Sequence, residues 1–191
     1  MSIAIVSDLH GKIVILKQLI TDVFPSVDEI WWGGDLFYNY KKDPVSMAES
    51  KEVLTTLSNY KDKPCIFISG NTDNMTEFQS FSTRFEPESF HKKQMGEDTL
   101  LLIHGHLYET RKSQIKLAKE NKAQIVISGH THLAGMMVED DIILINPGSP
   151  SIPRDEEATP TYILYFPEEK KFQIKHLPTG NTLQELYYNS Q

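Results

Sequence analysis

Short apolar runs recur along the chain at Ile3 to Val6, Glu29 to Trp32, Cys65 to Ser69, Leu100 to Ile103, Ile125 to Ser128, Ile142 to Ile145 and Tyr162 to Phe166. Their length and their β-branched and aromatic content predict strands. Between them lie stretches with helical spacing: Val14 to Val23, with Leu16, Leu19, Ile20 and Val23 on one side, Val45 to Tyr60, and Lys112 to Asn121. Strand followed by helix, several times over, predicts an α/β fold with buried, largely parallel strands. After Asn121 the runs are joined by short turns, "VEDD" and "PEEK", which predict a mainly antiparallel second sheet. "RDEEATP", Arg154 to Pro160, reads as an exposed loop, as does "KKD", Lys41 to Asp43. The last eleven residues, "NTLQELYYNSQ", suggest a short helix packing Leu183, Leu186 and Tyr187 on the body. Trp31 and Trp32 read as core packing, and His91 and His176, outside every motif, as surface residues.

Composition adds limits. A chain of 191 residues is expected to form one domain spanning 1–191 and to bury roughly 70% of its unfolded surface. The single cysteine, Cys65, excludes an intrachain disulfide and reads as a small core residue. The N-terminal "MSIAIVSDLHG" lacks the basic region and cleavage site of a signal peptide, and no apolar stretch has the length of a membrane span. A cytoplasmic protein is therefore expected. A formal charge of −7 argues against an extended nucleic-acid or anionic-lipid surface. A phosphate-bearing ligand would then need a local source of positive charge.

The segments at the carboxyl ends of the strands suggest that source. The first run leads into Ser7-Asp8-Leu9-His10-Gly11, the second into Gly33-Gly34-Asp35, the third into Gly70-Asn71-Thr72-Asp73, the fourth into His104-Gly105-His106, and the fifth into Gly129-His130-Thr131-His132. Carboxyl ends of strands are where open α/β sheets bind ligands. Asp8 with His10, and His130 with His132, stand two apart, so each pair can grip one centre from an extended segment or a tight loop. The set mixes carboxylate, amide and imidazole donors with no thiolate, which suits Mn, Fe, Co, Ni or Zn better than Ca or Mg. So many ligands fit two ions about 3.5–4 Å apart, sharing a carboxylate and a water held as hydroxide. Two divalent ions, two aspartates and one hydroxide leave a net charge of about +1, enough to attract a phosphate to an acidic chain.

In order, these blocks resemble the calcineurin-like metallophosphoesterases, whose pattern is Asp-x-His, Gly-Asp, Gly-Asn-His-Asp or Glu, His, and Gly-His-x-His. The resemblance runs from Ser2 to about Phe166 and extends to "HGHLY" and "INPGSPSIPR", as in the small single-domain bacterial and archaeal phosphodiesterases of that family. It implies a four-layer α/β/β/α sandwich of two mixed sheets flanked by helices. It also implies that Asp8, His10 and His132 hold one metal, that Asn71, His104 and His130 hold the other, and that Asp35 bridges them. Manganese is the expected ion and a small phosphodiester the expected substrate, hydrolysed in line; a phosphomonoester is the alternative.

One position departs from the pattern. Thr72 stands where many members carry the histidine taken to protonate the leaving oxygen or clamp the phosphoryl group. Threonine cannot act as a general acid near neutral pH, and losing such an acid commonly costs about 10² to 10⁴ in rate. Good, aryl-type leaving groups are therefore expected to be favoured. Thr72 and His106 are the candidate substrate-facing residues, Asn71 and Arg154 the candidate substrate-binding residues, with Arg154 reaching a phosphate. Competing readings stand beside these: Asp8 and Asp35 as helix N-caps, His104 as a core histidine, His106 as a structural hydrogen-bonding residue, and Asp73 as an orienting carboxylate. A different class of function, a non-catalytic scaffold on the same fold, also stands, and oligomeric state is open, a homo-oligomer included.

Overall fold

The computed structural model describes residues 1–37, 44–73 and 90–189. The first half builds one sheet and its helical cover. Strand β1 (Ile3–Val6) pairs in parallel with β2 (Glu29–Trp32), and β2 with β3 (Cys65–Phe67). Helix α1 (Ile13–Gln18) runs on as a π turn to Val23, and α2 covers Pro44–Asn59. The second half adds β4 (Phe90–Met95), β5 (Asp98–Ile103), helix α3 (Arg111–Asn121), β6 (Ile125–Ser128), β7 (Gly135–Glu139) and β8 (Ile142–Asn146). Strands β9 (Thr161–Phe166), β10 (Lys171–His176) and β11 (Thr182–Tyr187) close the chain.

These strands form two mixed sheets, ordered β11-β10-β9-β1-β2-β3 and β4-β5-β6-β8-β7. Three apolar clusters separate the layers. Ala4, Val6 and Trp32 face α1 and α2; Ile5, Trp31, Ile127 and Tyr165 meet between the sheets; Ile103, Val126 and Leu144 face α3. Because successive strand residues point to opposite faces, Trp31 and Trp32 serve different cores. Trp31 lies 6.3 Å from the Tyr165 ring, whereas Trp32 meets Phe24 edge-on at 5.8 Å. Both are fully buried, and truncating either would cost about 3–5 kcal/mol.

Helix α3 is fixed at its start by a capping box: the Thr110 hydroxyl accepts from the Ser113 N–H at 3.1 Å, and Ser113 Oγ accepts from the Thr110 N–H at 3.2 Å. At its end Lys122 turns the chain with φ at 54°. The segment 154–160 carries no helix or strand, and Asp155 organises it by accepting from the N–H groups of Glu157 and Thr159. Cys65 is half-buried against the α1/α2 core. His91 and His176 are both half-buried on strands β4 and β10. Among the described residues no helix is long and apolar enough to cross a membrane.

Two expectations need correction. The tail does not form an antiparallel sheet of its own: β6 and β8 pair in parallel within the second sheet, while β9, β10 and β11 join the first sheet through β1. Crossing between sheets lets the same tail bury apolar residues on both sides of the central core. The expected C-terminal helix is instead β11, antiparallel to β10. The open backbone edge of β10 offers hydrogen bonds that a short isolated helix would have to supply alone. Leu183 and Tyr187 are exposed, Leu186 packs partly on the core, and Tyr188 Oη bonds Tyr165 Oη at 2.8 Å. The 41–43 segment lies outside the described residues.

Candidate metal centre

The loops after β1 and β2 are zipped together by backbone hydrogen bonds. Asp8 N–H donates to Gly34 O, His10 N–H to Asp35 O, both at 2.9 Å, and Gly11 N–H to Leu36 O at 2.7 Å. This fixes Asp8 and His10 against Asp35. The side chains are then turned inward by an unusual backbone: Asp8, His10, Asp35, His130 and His132 all have φ between 49° and 70°. For residues other than glycine that region costs on the order of 1–3 kcal/mol each when the surroundings impose it. The extended grip is thus not used; each Asp-x-His or His-x-His pair sits in a tight loop with both members left-handed.

Close approach also needs glycine. A Cβ on Gly70 would stand 2.0 Å from Asp35 Oδ1, and one on Gly129 would stand 2.6 Å from Asp8 Oδ2. The NPGSPS segment braces the first loop from behind. Ser149 Oγ donates to Asp8 O at 2.8 Å, and Ser151 Oγ donates to Leu9 O at 2.9 Å. Asn146 Nδ2 likewise donates to Gly129 O at 2.8 Å. All three lie in the INPGSPSIPR stretch, where serine and asparagine by themselves carry no metal-ligand signal.

Two groups of donors result: Asp8, His10 and His132, and Asp8, Asp35 and His104, each with ligand atoms within 4.8 Å of one another. In the first, His10 Nε2 lies 3.1 Å from His132 Nε2, and Asp8 Oδ1 lies 3.2 Å from His132 Nε2. His132 Nδ1 is 2.6 Å from Ile152 O, so the ring proton belongs there and the Nε2 lone pair faces the others. Asp8 Oδ1 is buried with no hydrogen-bond partner. Two imidazole nitrogens and a buried carboxylate oxygen converging this closely fit a divalent cation. In the second group His104 Nδ1 is fixed on Gly33 O at 2.8 Å, leaving Nε2 3.4 Å from Asp35 Oδ2 and 3.2 Å from Asn71 Oδ1. Asp35 Oδ2 is also 3.8 Å from His10 Nε2, so it stands between the two groups. Asp8 belongs to both, a sharing the sequence did not indicate.

The remaining candidates surround this core. His130 is half-buried, outside both close groups; its ring centroid is 5.2 Å from that of His104 and its backbone N–H donates to Asp8 Oδ2 at 3.0 Å. His106 is half-buried, 5.4 Å from the His104 ring and 6.2 Å from that of His130. Thr72 donates its backbone N–H to Asp35 Oδ1 at 2.8 Å and its hydroxyl to Phe37 O at 2.7 Å. Asp73 accepts from Phe37 N–H at 3.0 Å and Gly70 N–H at 2.8 Å, and so orients the loops on both sides of Asp35. Arg154 has an exposed side chain, and its backbone N–H donates to His132 O at 3.2 Å.

Electrostatics reflect this geometry. Burial holds His10 below the usual histidine range, and burial followed by the charge of His104 does the same to His106 and His130. Burial also opposes a charge on His104, but its hydrogen bond to Asp35 and that carboxylate's charge prevail and hold it above its usual value. Burial would raise Asp35, yet His104 and the Thr72 N–H bring it down to about 2. Burial pushes Asp73 up to about 6.

The profile described as the calcineurin-like phosphoesterase superfamily domain matches residues 1–170. The chain belongs to this superfamily. A probable metallophosphoesterase of Methanothermobacter thermautotrophicus is 32% identical over 159 residues, covering 81% of this chain and 80% of the relative. Among solved structures, the E. coli phosphoesterase Yfce superposes with a TM-score of 0.79 at 20% identity, covering 99% of this chain and 100% of that one. Vps29 of Entamoeba histolytica, solved in complex with Zn²⁺, does so with a TM-score of 0.67 at 18% identity, covering 99% and 100%. The two mixed sheets with their helices are the architecture of these metallophosphoesterase-like structures, and the chain is that of a metal-dependent phosphoesterase family.

Proposed function

We propose that the protein is a dinuclear, divalent-metal-dependent phosphodiesterase acting on a small phosphodiester, with Mn²⁺ as the ion. Asp8, His10 and His132 hold one metal, Asn71, His104 and His130 the other, and Asp35 bridges them. The observation that carries this reading is the position of Asp35 Oδ2, 3.8 Å from His10 Nε2 on one side and 3.4 Å from His104 Nε2 on the other. Bound there, divalent ions would supply positive charge to the phosphoryl oxygens and lower the pKa of a water. The chain's part is to hold the ligands ready. Ile152 O and Gly33 O anchor the Nδ1 atoms of His132 and His104 so that their Nε2 atoms point inward, and Ser149 and Ser151 hold the Asp8 loop.

The diester preference rests on charge and on Thr72. A centre of only about +1 suits a monoanionic diester better than a dianionic monoester. The Thr72 hydroxyl hydrogen is engaged by Phe37 O, which leaves leaving groups that depart without a proton, such as aryl oxides, as the better substrates. His106, beside the rings of His104 and His130, is assigned to contact the substrate, and Arg154 the phosphate from the rim. With Mn²⁺-loaded protein, bis(p-nitrophenyl) phosphate should be cleaved faster than p-nitrophenyl phosphate, and a dialkyl phosphate slowest. Asp35→Asn should lower the diester rate by at least about 10²; an unchanged rate would defeat the proposal. The likeness in fold to Zn²⁺-bound Vps29 supports a second reading, a metal-binding scaffold without turnover. That reading predicts metal uptake with no hydrolysis of any of the three esters.

A further inference from the structure

Helix α3 packs on β6 and β8 and leaves a cleft over the outer face of β7 and β8. The cleft has a volume of about 410 Å³, within the range of small-ligand sites. Its floor includes Met137 and Leu144, which are cross-strand partners and so share one face of the sheet. Its rim includes Glu109, Arg111, Gln114 and Thr131. Arg111 Nη1 donates to Glu139 Oε2 at 3.0 Å and to Met137 Sδ at 3.7 Å, which ties the guanidinium to the floor's thioether.

We infer that this cleft is the subsite for a flat aromatic substituent of the phosphoester, an aryl ring or nucleobase. This rests on the phosphodiesterase reading for the place of the phosphate. Thioether and guanidinium surfaces both favour the face or edge of an aromatic ring over an alkyl chain. The polar rim gives a heteroaromatic edge hydrogen-bonding partners. Continuity with the metal centre comes from the loop between them. Thr131 lies in sequence between His130 and His132, and Asn146, which also lines the cleft, holds that loop through Gly129 O and Thr131 Oγ1 at 2.8 and 3.1 Å. Thr131 thus belongs both to the rim of the cleft and to the loop that carries His130 and His132.

Gly135 provides a clean test. It lines the cleft, and a Cβ placed on it meets no atom within 4 Å, so Gly135→Phe can start its side chain there without a clash at Cβ and crowd the cleft. Binding of phenylphosphonate and methylphosphonate to the Mn²⁺-loaded protein is measured by calorimetry. The wild type should bind the phenyl compound about tenfold more tightly, as one well-placed ring contributes. In Gly135→Phe the preference should vanish, with methylphosphonate affinity kept within about twofold. A second variant, Met137→Glu, which charges the floor at a partly exposed position, should behave alike. Equal affinities in the wild type, a preference surviving both substitutions, or no binding of either phosphonate would overturn the inference. Absence of hydrolysis with the phenyl preference intact would instead refute only the catalytic reading.

Discussion

Asp8→Asn should separate the needs of folding from those of the metal centre. The Asp8 carboxylate is fully buried. Its Oδ2 accepts from His130 N–H at 3.0 Å, while Oδ1 has no donor and faces His132 Nε2 at 3.2 Å. Asparagine can keep the first bond with its amide oxygen. Its NH₂ then stands where Oδ1 was and donates to the His132 lone pair. Its backbone also tolerates the φ of 58° found at residue 8. At pH 8 and without metal, the exchange adds one buried hydrogen bond worth about 1 kcal/mol and removes an uncompensated buried charge. For a chain of this size that raises Tm by about 2–4 °C. With metal the sign reverses. A ligand at a hundred times its Kd stabilises by about 2.7 kcal/mol, a rise of roughly 5–11 °C, and the neutral amide forfeits most of it. Thermal denaturation of both proteins in EDTA and in Mn²⁺ reads the four values. A variant less stable than wild type in EDTA, yet with the same metal-induced shift, would refute the reasoning.

Other expected outcomes concern the bracing of the site and the far edge of the fold. Ser149→Ala removes the buried hydroxyl that donates to Asp8 O and accepts from Ile152 N–H at 2.8 Å; it should cost about 1–3 kcal/mol in urea unfolding and weaken metal binding in calorimetry. Thr72→Val loses the bond to Phe37 O and should cost about 1 kcal/mol, while the ratio of aryl to alkyl diester rates stays unchanged, since that hydroxyl has no proton to give. Tyr165 is held up to about 12 by burial, with its hydroxyl on Tyr188. A raised value means stability that is complete below about pH 10, the unfolded tyrosine range, and is lost as pH climbs towards 12. Unfolding midpoints should fall over that window, and Tyr165→Phe should flatten the fall.

The sequence disclosed β1 and β2 because each is buried on both faces and bounded by glycine or polar residues. It disclosed β10 less well, since only Phe172 and Ile174 alternate with polar neighbours there. The edge strands β4 and β11 gave almost no signal: one face is solvent, and what defines them is pairing with β5 and β10, a long-range property. At the site, the strand-end rule gathered the aspartates and histidines onto one edge. It did not reveal the left-handed backbone at five of them, nor Asp8 reaching both donor groups, because both depend on loops zipped together across distant parts of the chain. The bracing by Ser149, Ser151 and Asn146 was hidden for the same reason.

The central claim is that these converging donors hold two divalent ions. Crystals soaked in Mn²⁺ and measured at the manganese absorption edge test it most directly. Two anomalous peaks are expected, one among Asp8, His10 and His132 and one among Asn71, His104 and His130, with Asp35 between them. No peak at the site, or a single peak at saturating metal, would contradict it.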